Sequence, residues 1–322
     1  MNQQPRYSVG KKLWVLLAAT LTLGTTNVKA QYYDSDKFVE LGFTIGGSNL
    51  LSDLGGTGGK GMTFLKDNNF PATRLAGGVF ATYHPVNFLG FRASFNYGRY
   101  YADDNLIKAK GGLEQARIAR NNNVRTSIAD ASVMAIFYPT AIFIRAGEDM
   151  TGSFQPFVSA GVGFFKFNPH GQDPLTGDWV ALQPLRTEGQ GLIPGRDPYK
   201  LSGVSIPLGF GFKYYVSQTF TISGEVIYRK TFTDYIDDVS TTYVDPSIYA
   251  TAPMNGSQRA LAQRMSNKSV DIHGNGPLYA PGSKRGTETN NDAFYTVGIT
   301  FGWRFGGGLN PWKNSTKCPV RF

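Results

Sequence analysis

Residues Ser205–Val239 read SIPLGFGFKYYVSQTFTISGEVIYRKTFTDYIDDV, and this stretch decides the fold. Taken with a period of two, Ile206, Leu208, Phe210, Phe212 and Tyr214 share one face, while Ser205, Pro207, Gly209, Gly211, Lys213 and Tyr215 share the other. Val216-Ser217-Gln218-Thr219 supplies a turn. The chain returns with Phe220, Ile222, Gly224, Val226 and Tyr228 against Thr221, Ser223, Glu225, Ile227, Arg229 and Thr231. Such a hairpin fits a soluble sandwich if its oily face is the core. It fits an outer-membrane barrel if that face meets lipid and the small, polar and charged residues fill the lumen.

The same alternation recurs on both sides of the hairpin. It predicts strands over Lys37–Gly46, Thr73–His84, Leu89–Tyr101, Arg125–Tyr138, Gln155–Phe167 and Ala293–Gly306, eight in all with the hairpin. In the last, Tyr295, Val297, Ile299, Phe301, Trp303 and Phe305 oppose Thr296, Gly298, Thr300, Gly302 and Arg304. The connections run long, short, long, medium, long, short, long, and the longest spans Thr233–Asp292. A sandwich has no reason to gather its long loops at one end. A single-chain outer-membrane barrel does, so the expected fold is an all-β, eight-stranded antiparallel transmembrane barrel over residues 31–306.

Composition agrees with export. Residues 1–30 place Lys11 and Lys12 before an apolar run, Leu13–Leu23, and end in Val28-Lys29-Ala30, the pattern of a secretory signal peptide. That run is far shorter than the roughly 20 residues a spanning helix needs. The formal charge of +9 falls to +5 once the four basic residues of this segment are removed. The remaining basic residues are scattered, which gives nucleic-acid binding no support. The chain has one cysteine, Cys318, so a disulfide scaffold is excluded.

The chemistry-bearing residues form no catalytic constellation. The three histidines, His84, His170 and His273, stand in or near turns and away from Cys318. The glycine-rich GGTGGKGMT segment lacks the spacing of a phosphate loop, because Leu54 stands where its first glycine belongs and Gly61 follows Lys60. Lys213, Glu225 and Arg229 fall on inward faces. In a barrel just wide enough for its own side chains they read as a lumen charge network rather than as an acid–base pair. Asp234, Asp237 and Asp238 cluster where the seventh strand ends; they read as a loop-organising turn, with calcium as the sharper alternative. No cofactor and no enzymatic activity are expected.

Three segments are more specific than alternation. PHGQDPLTGDWVALQPLRTEGQG (Pro169–Gly191), YRKTFTDYIDDVSTTYVD (Tyr228–Asp245) and ELGFTIGGSNLLSDLGG (Glu40–Gly56) resemble the PorG family of Bacteroidota outer-membrane proteins. The resemblance implies a barrel component of the type IX secretion and gliding machinery. It also implies a periplasmic partner, a PorK/PorN-like (GldK/GldN-like) ring. The alternative from another class is a small outer-membrane pore.

The tail, residues 307–322, GGLNPWKNSTKCPVRF, is expected in the periplasm. Its Trp312, Cys318 and Phe322 suit either a plain terminus or a docking peptide, with Cys318 available for an interchain disulfide in an oxidising compartment.

Overall fold

A strand in lipid must satisfy all its backbone groups through its neighbours, which only a closed sheet allows. The computed structural model describes residues 37–55, 70–107, 114–144, 149–269 and 278–306. Its long strands are β1 (Phe38–Leu51), β2 (Arg74–Val86), β3 (Leu89–Asp103), β4 (Asn123–Phe137), β5 (Phe154–Lys166), β8 (Ser202–Tyr215), β9 (Phe220–Thr231) and β10 (Ala293–Gly306). All neighbours are antiparallel, in the order β3, β2, β1, β10, β9, β8, β5, β4, and β3 pairs with β4 to close the ring. The barrel is therefore a closed eight-stranded one. The expected signal peptide and tail lie outside the described residues. No described helix is long and apolar enough to cross a membrane.

Strand ends match the alternation closely, with two instructive departures. β1 runs on to Leu51 because Ser48, past the expected end, bonds the carbonyls of Arg74 (3.1 Å) and Arg99 (2.7 Å). Two short strands, β6 (Pro169–Gln172) and β7 (Trp179–Ala181), form a hairpin on the upper end of β4, where His170 pairs with Arg125. They extend the wall beyond the point where β5 leaves it.

The long connections are not plain polar loops. They fold into a cap whose apolar cluster joins barrel residues such as Phe165 and Phe294 to Leu185, Tyr199, Ile236 and Tyr249. α1 (Glu114–Arg120) and α2 (Gly256–Ser266) belong to it. α2 starts at a capping box, in which Asn255 and Gln258 satisfy each other's backbone N–H groups. The opposite end carries the short turns, including Val216–Thr219 between β8 and β9 and the single-turn helix Pro139–Phe143.

This topology puts the β6–β7 turn outside the cell and the β8–β9 turn in the periplasm. An epitope inserted beside the exposed Leu175 should be labelled by antibody on intact cells, and one inserted at Ser217 only after the outer membrane is permeabilised. Equal labelling of both would contradict the orientation.

Candidate functional site

The bore is a ladder of three ion pairs, and each rung joins strands far apart in sequence. Lowest, Lys213 of β8 donates to Glu40 of β1 at 2.5 Å. Thr221 donates to the other oxygen of Glu40 at 2.5 Å, and His84 lies 3.4 Å away. In the middle, Arg92 of β3 meets Glu225 of β9 at 2.7 Å, and Thr300 donates to Glu225 at 2.9 Å. Uppermost, Arg229 of β9 meets Asp130 of β4 at 2.9 Å and Thr296 at 3.1 Å. All six charged side chains are at most 5% exposed. Gly302 makes room for the lowest rung, because a Cβ there would collide with Glu40 and Thr221.

Below the ladder, aromatic side chains close the periplasmic end. Phe38 stacks on His84 with ring centroids 4.2 Å apart, His84 leans on Tyr138, and Tyr138 on Phe157. Arg304 caps the floor, its guanidinium 4.0 Å above Phe38. Above the ladder the cap repeats the theme of buried pairing. Arg120 grips Asp104 with two bonds of 2.8 Å. Arg285 meets Glu188 at 2.8 Å, and Glu188 accepts the N–H groups of Ser240 and Thr241.

Lys213, Glu225 and Arg229 are thus all inside the bore, yet they do not pair with one another. Their partners Glu40, Arg92 and Asp130 stood on the polar side of the same alternation, so the signal for them was present in the sequence. The expected aspartate cluster divides. Asp238, at a left-handed φ of 64°, is occupied: its carboxylate accepts from Thr187 and Tyr199 (2.6 Å) and lies 3.7 Å from the Arg285 guanidinium, which also donates to the Asp238 backbone carbonyl. Asp234 and Asp237 instead share surroundings with Asp292 and Asp53, which the local sequence did not join to them. Burial pushes the Asp234 carboxyl up to about 9, with the nearby Asp237 acting in the same direction. Burial likewise raises Asp237 and Asp292. Among the described residues, no three His, Cys, Asp or Glu side chains are grouped so that they could hold a metal ion. Trp312, Cys318 and Phe322 lie outside the described residues.

The outward face is the reverse of the bore. Ile206, Leu208, Phe210, Phe212 and Tyr214 on β8, with Leu41, Phe43 and Ile45 on β1, are all at least 38% exposed. Phe154, Tyr214, Trp303 and Phe305 mark an aromatic belt near the periplasmic turns. Water tolerates no such continuous apolar ring, and lipid requires it. The chain is an outer-membrane β-barrel protein.

No protein-family model matches the sequence, and no curated protein does. Among solved structures, the chain is similar to the outer membrane protein OprG from Pseudomonas aeruginosa, at 13% identity over 85% of this chain and 97% of that one, TM-score 0.35. It is similar to Ail, the attachment invasion locus protein of Yersinia pestis, at 12% identity over 84% and 97%, TM-score 0.34. The N-terminal β-barrel domain of Pseudomonas aeruginosa OprF gives 11% identity over 84% and 98%, TM-score 0.32.

Breaking one rung should cost more than removing it. Arg229→Met strands Asp130 as an uncompensated buried charge and is expected to lose about 3–5 kcal/mol of folding stability. Adding Asp130→Leu should recover most of that loss, because a buried pair replaced by apolar groups is often close to neutral. Urea midpoints of the heat-modifiable band measure both, and a single variant as stable as wild type would refute the buried ladder.

Proposed function

We propose that this protein is a sealed outer-membrane anchor of the type IX secretion and gliding machinery, holding a PorK/PorN-like periplasmic ring at the membrane. It performs no chemistry of its own. The observation that carries the first half is the filled bore: three buried ion pairs, an aromatic floor beneath and a folded cap above use the lumen for rigidity rather than passage. Conduction would need water along the axis, whereas these charges satisfy one another instead of lining a path. The second half rests on the resemblance of Pro169–Gly191 and Tyr228–Asp245 to the PorG family.

The partner surface in this proposal is the periplasmic tail after β10. Trp312 acts as its anchor, Phe322 as its end, and Cys318 as the residue able to cross-link. A tagged protein purified from outer membranes should bring down a lipoprotein and a second periplasmic protein in a constant ratio. Cys318→Ser should remove any band heavier than the monomer on non-reducing gels while the barrel stays in the membrane. In planar bilayers the purified protein should show no steady conductance. A lasting open channel would favour the pore, and purification without a ring would overturn the docking role.

A further inference from the structure

Charge on the lipid-facing side of the barrel is confined to one end. Three strands that climb toward the cap finish their outward face in the same way: Tyr97 then Arg99 on β3, Phe164 then Lys166 on β5, Tyr228 then Lys230 on β9. Each aromatic and its cation stand two positions apart, so both point away from the bore. Arg99, Lys166 and Lys230 are exposed. The exposed Arg74, which opens β2, joins them, with its guanidinium 4.6 Å over the ring of Tyr101, another outward residue of β3. The periplasmic halves of the strands differ: their charges, Glu40, Arg92, Lys213 and Arg304, belong to the bore and its floor.

The pairing register brings the four cations to nearly one height. Arg74 connects through Ser48 and Thr296 to Ile227, below Lys230 on β9. Lys230 in turn pairs with Ile206, which lies below Ser202, the β8 partner of Lys166. Strands tilted by about 40° drop each successive partner by roughly one residue, and this drop cancels those offsets. Arg99 sits beside Arg74, since Gly98 pairs with Ala76. Between this level and the periplasmic aromatic belt the outward face is apolar, in a band whose usual height is about 25 Å. The cations therefore stand where hydrocarbon gives way to headgroups.

We propose that Arg74, Arg99, Lys166 and Lys230 form a docking ring for the phosphate groups of anionic lipids in the outer leaflet. Among the described residues none of the four is in an ion pair. The nearby acid, Asp103, is engaged by the Tyr101 hydroxyl at 2.6 Å and the Asn105 N–H at 2.8 Å. Exposed acids such as Asp178 and Asp245 stand in the loops above the strands. The apolar stems of Arg99, Lys166 and Lys230 can lie along the aromatic rings below them while their charged ends reach the headgroups. Arg74 and Arg99 on adjacent strands give two guanidinium forks, the geometry that grips phosphate oxygens in pairs. Lys166 and Lys230 flank β8, two strand spacings or about 10 Å apart, and present point charges. Arg125, higher on β4 and 4.5 Å over Trp179, adds a second tier. A lipid fits this surface better than a protein partner does, because the ring continues the lipid-facing wall and shares its one apolar border. The inference rests on the outer-membrane barrel alone and is independent of any secretion role.

The test is titration of the mature chain in maltoside micelles, followed by native mass spectrometry, with the bis-phosphorylated glycolipid lipid A as probe. Neutral phosphatidylcholine and inorganic phosphate are the comparators. Lipid A should be retained at least about tenfold more tightly than phosphatidylcholine, and less tightly when salt is raised to about 0.5 M. Inorganic phosphate at equal concentration should not displace it. Arg99→Gln with Lys166→Gln and Lys230→Gln should weaken lipid A at least about tenfold, whereas Lys37→Gln with Lys284→Gln, which removes exposed charges elsewhere, should leave it unchanged. All these side chains are exposed, so heat-modifiability should show every variant folded. Should the triple variant fail to fold, the wild-type preference and its salt dependence decide alone. Equal retention of the two lipids, displacement by free phosphate, undiminished binding by the folded triple variant, or an equal loss in the control variant would each overturn the ring.

Discussion

A charge enclosed by a small barrel has nowhere to find a counter-charge except across the bore, and the rest of this structure follows from that constraint. Each of the three rungs joins strands that are not neighbours in the sheet: β1 with β8, β3 with β9, and β4 with β9. Backbone pairing holds adjacent strands; the rungs brace the ring across its diameter. The lipid face contributes nothing of that kind, since its aromatic and aliphatic side chains meet solvent as apolar as themselves.

The cap extends the same logic into water. Loops of this length ordinarily lie solvated on a surface. Here many of their N–H groups are consumed by buried acids: Glu188 alone takes the N–H groups of Ser240 and Thr241, the hydroxyl of Thr241 and the Arg285 guanidinium. Tyr249, Ile236 and Met265 then pack on barrel residues Phe294 and Ile128 in one cluster. The apolar core that a soluble domain would keep between its sheets stands, in this protein, above the membrane.

The sequence was legible where structure repeats every two residues. β9 and β10 fall on the residues the alternation marked, and the polar faces held every rung of the ladder, Glu40, Arg92 and Asp130 included. It could not say that Arg229 meets Asp130 rather than Glu225 four residues away, because that choice depends on strand tilt and closure. The cap was illegible for a related reason. Its core residues enter singly from irregular segments, and β6 and β7 are too short to show a period. The division of Asp234 and Asp237 from Asp238 turns on one residue in the left-handed region, which sends the Asp238 carboxyl toward Tyr199 and Arg285.

Because the lumen and the cap form one buried structure, the amides that donate to buried carboxylates should open only with the barrel. Hydrogen–deuterium exchange of the folded protein in detergent tests this at Leu54, Ile236, Val239, Ser240 and Thr241, whose N–H groups are all bound to Asp237, Asp292 or Glu188. Peptides covering them should exchange as slowly as those from β9 and β10. Exchange within seconds, at the rate of an unstructured chain, would contradict a folded cap and leave the bore open to the outside.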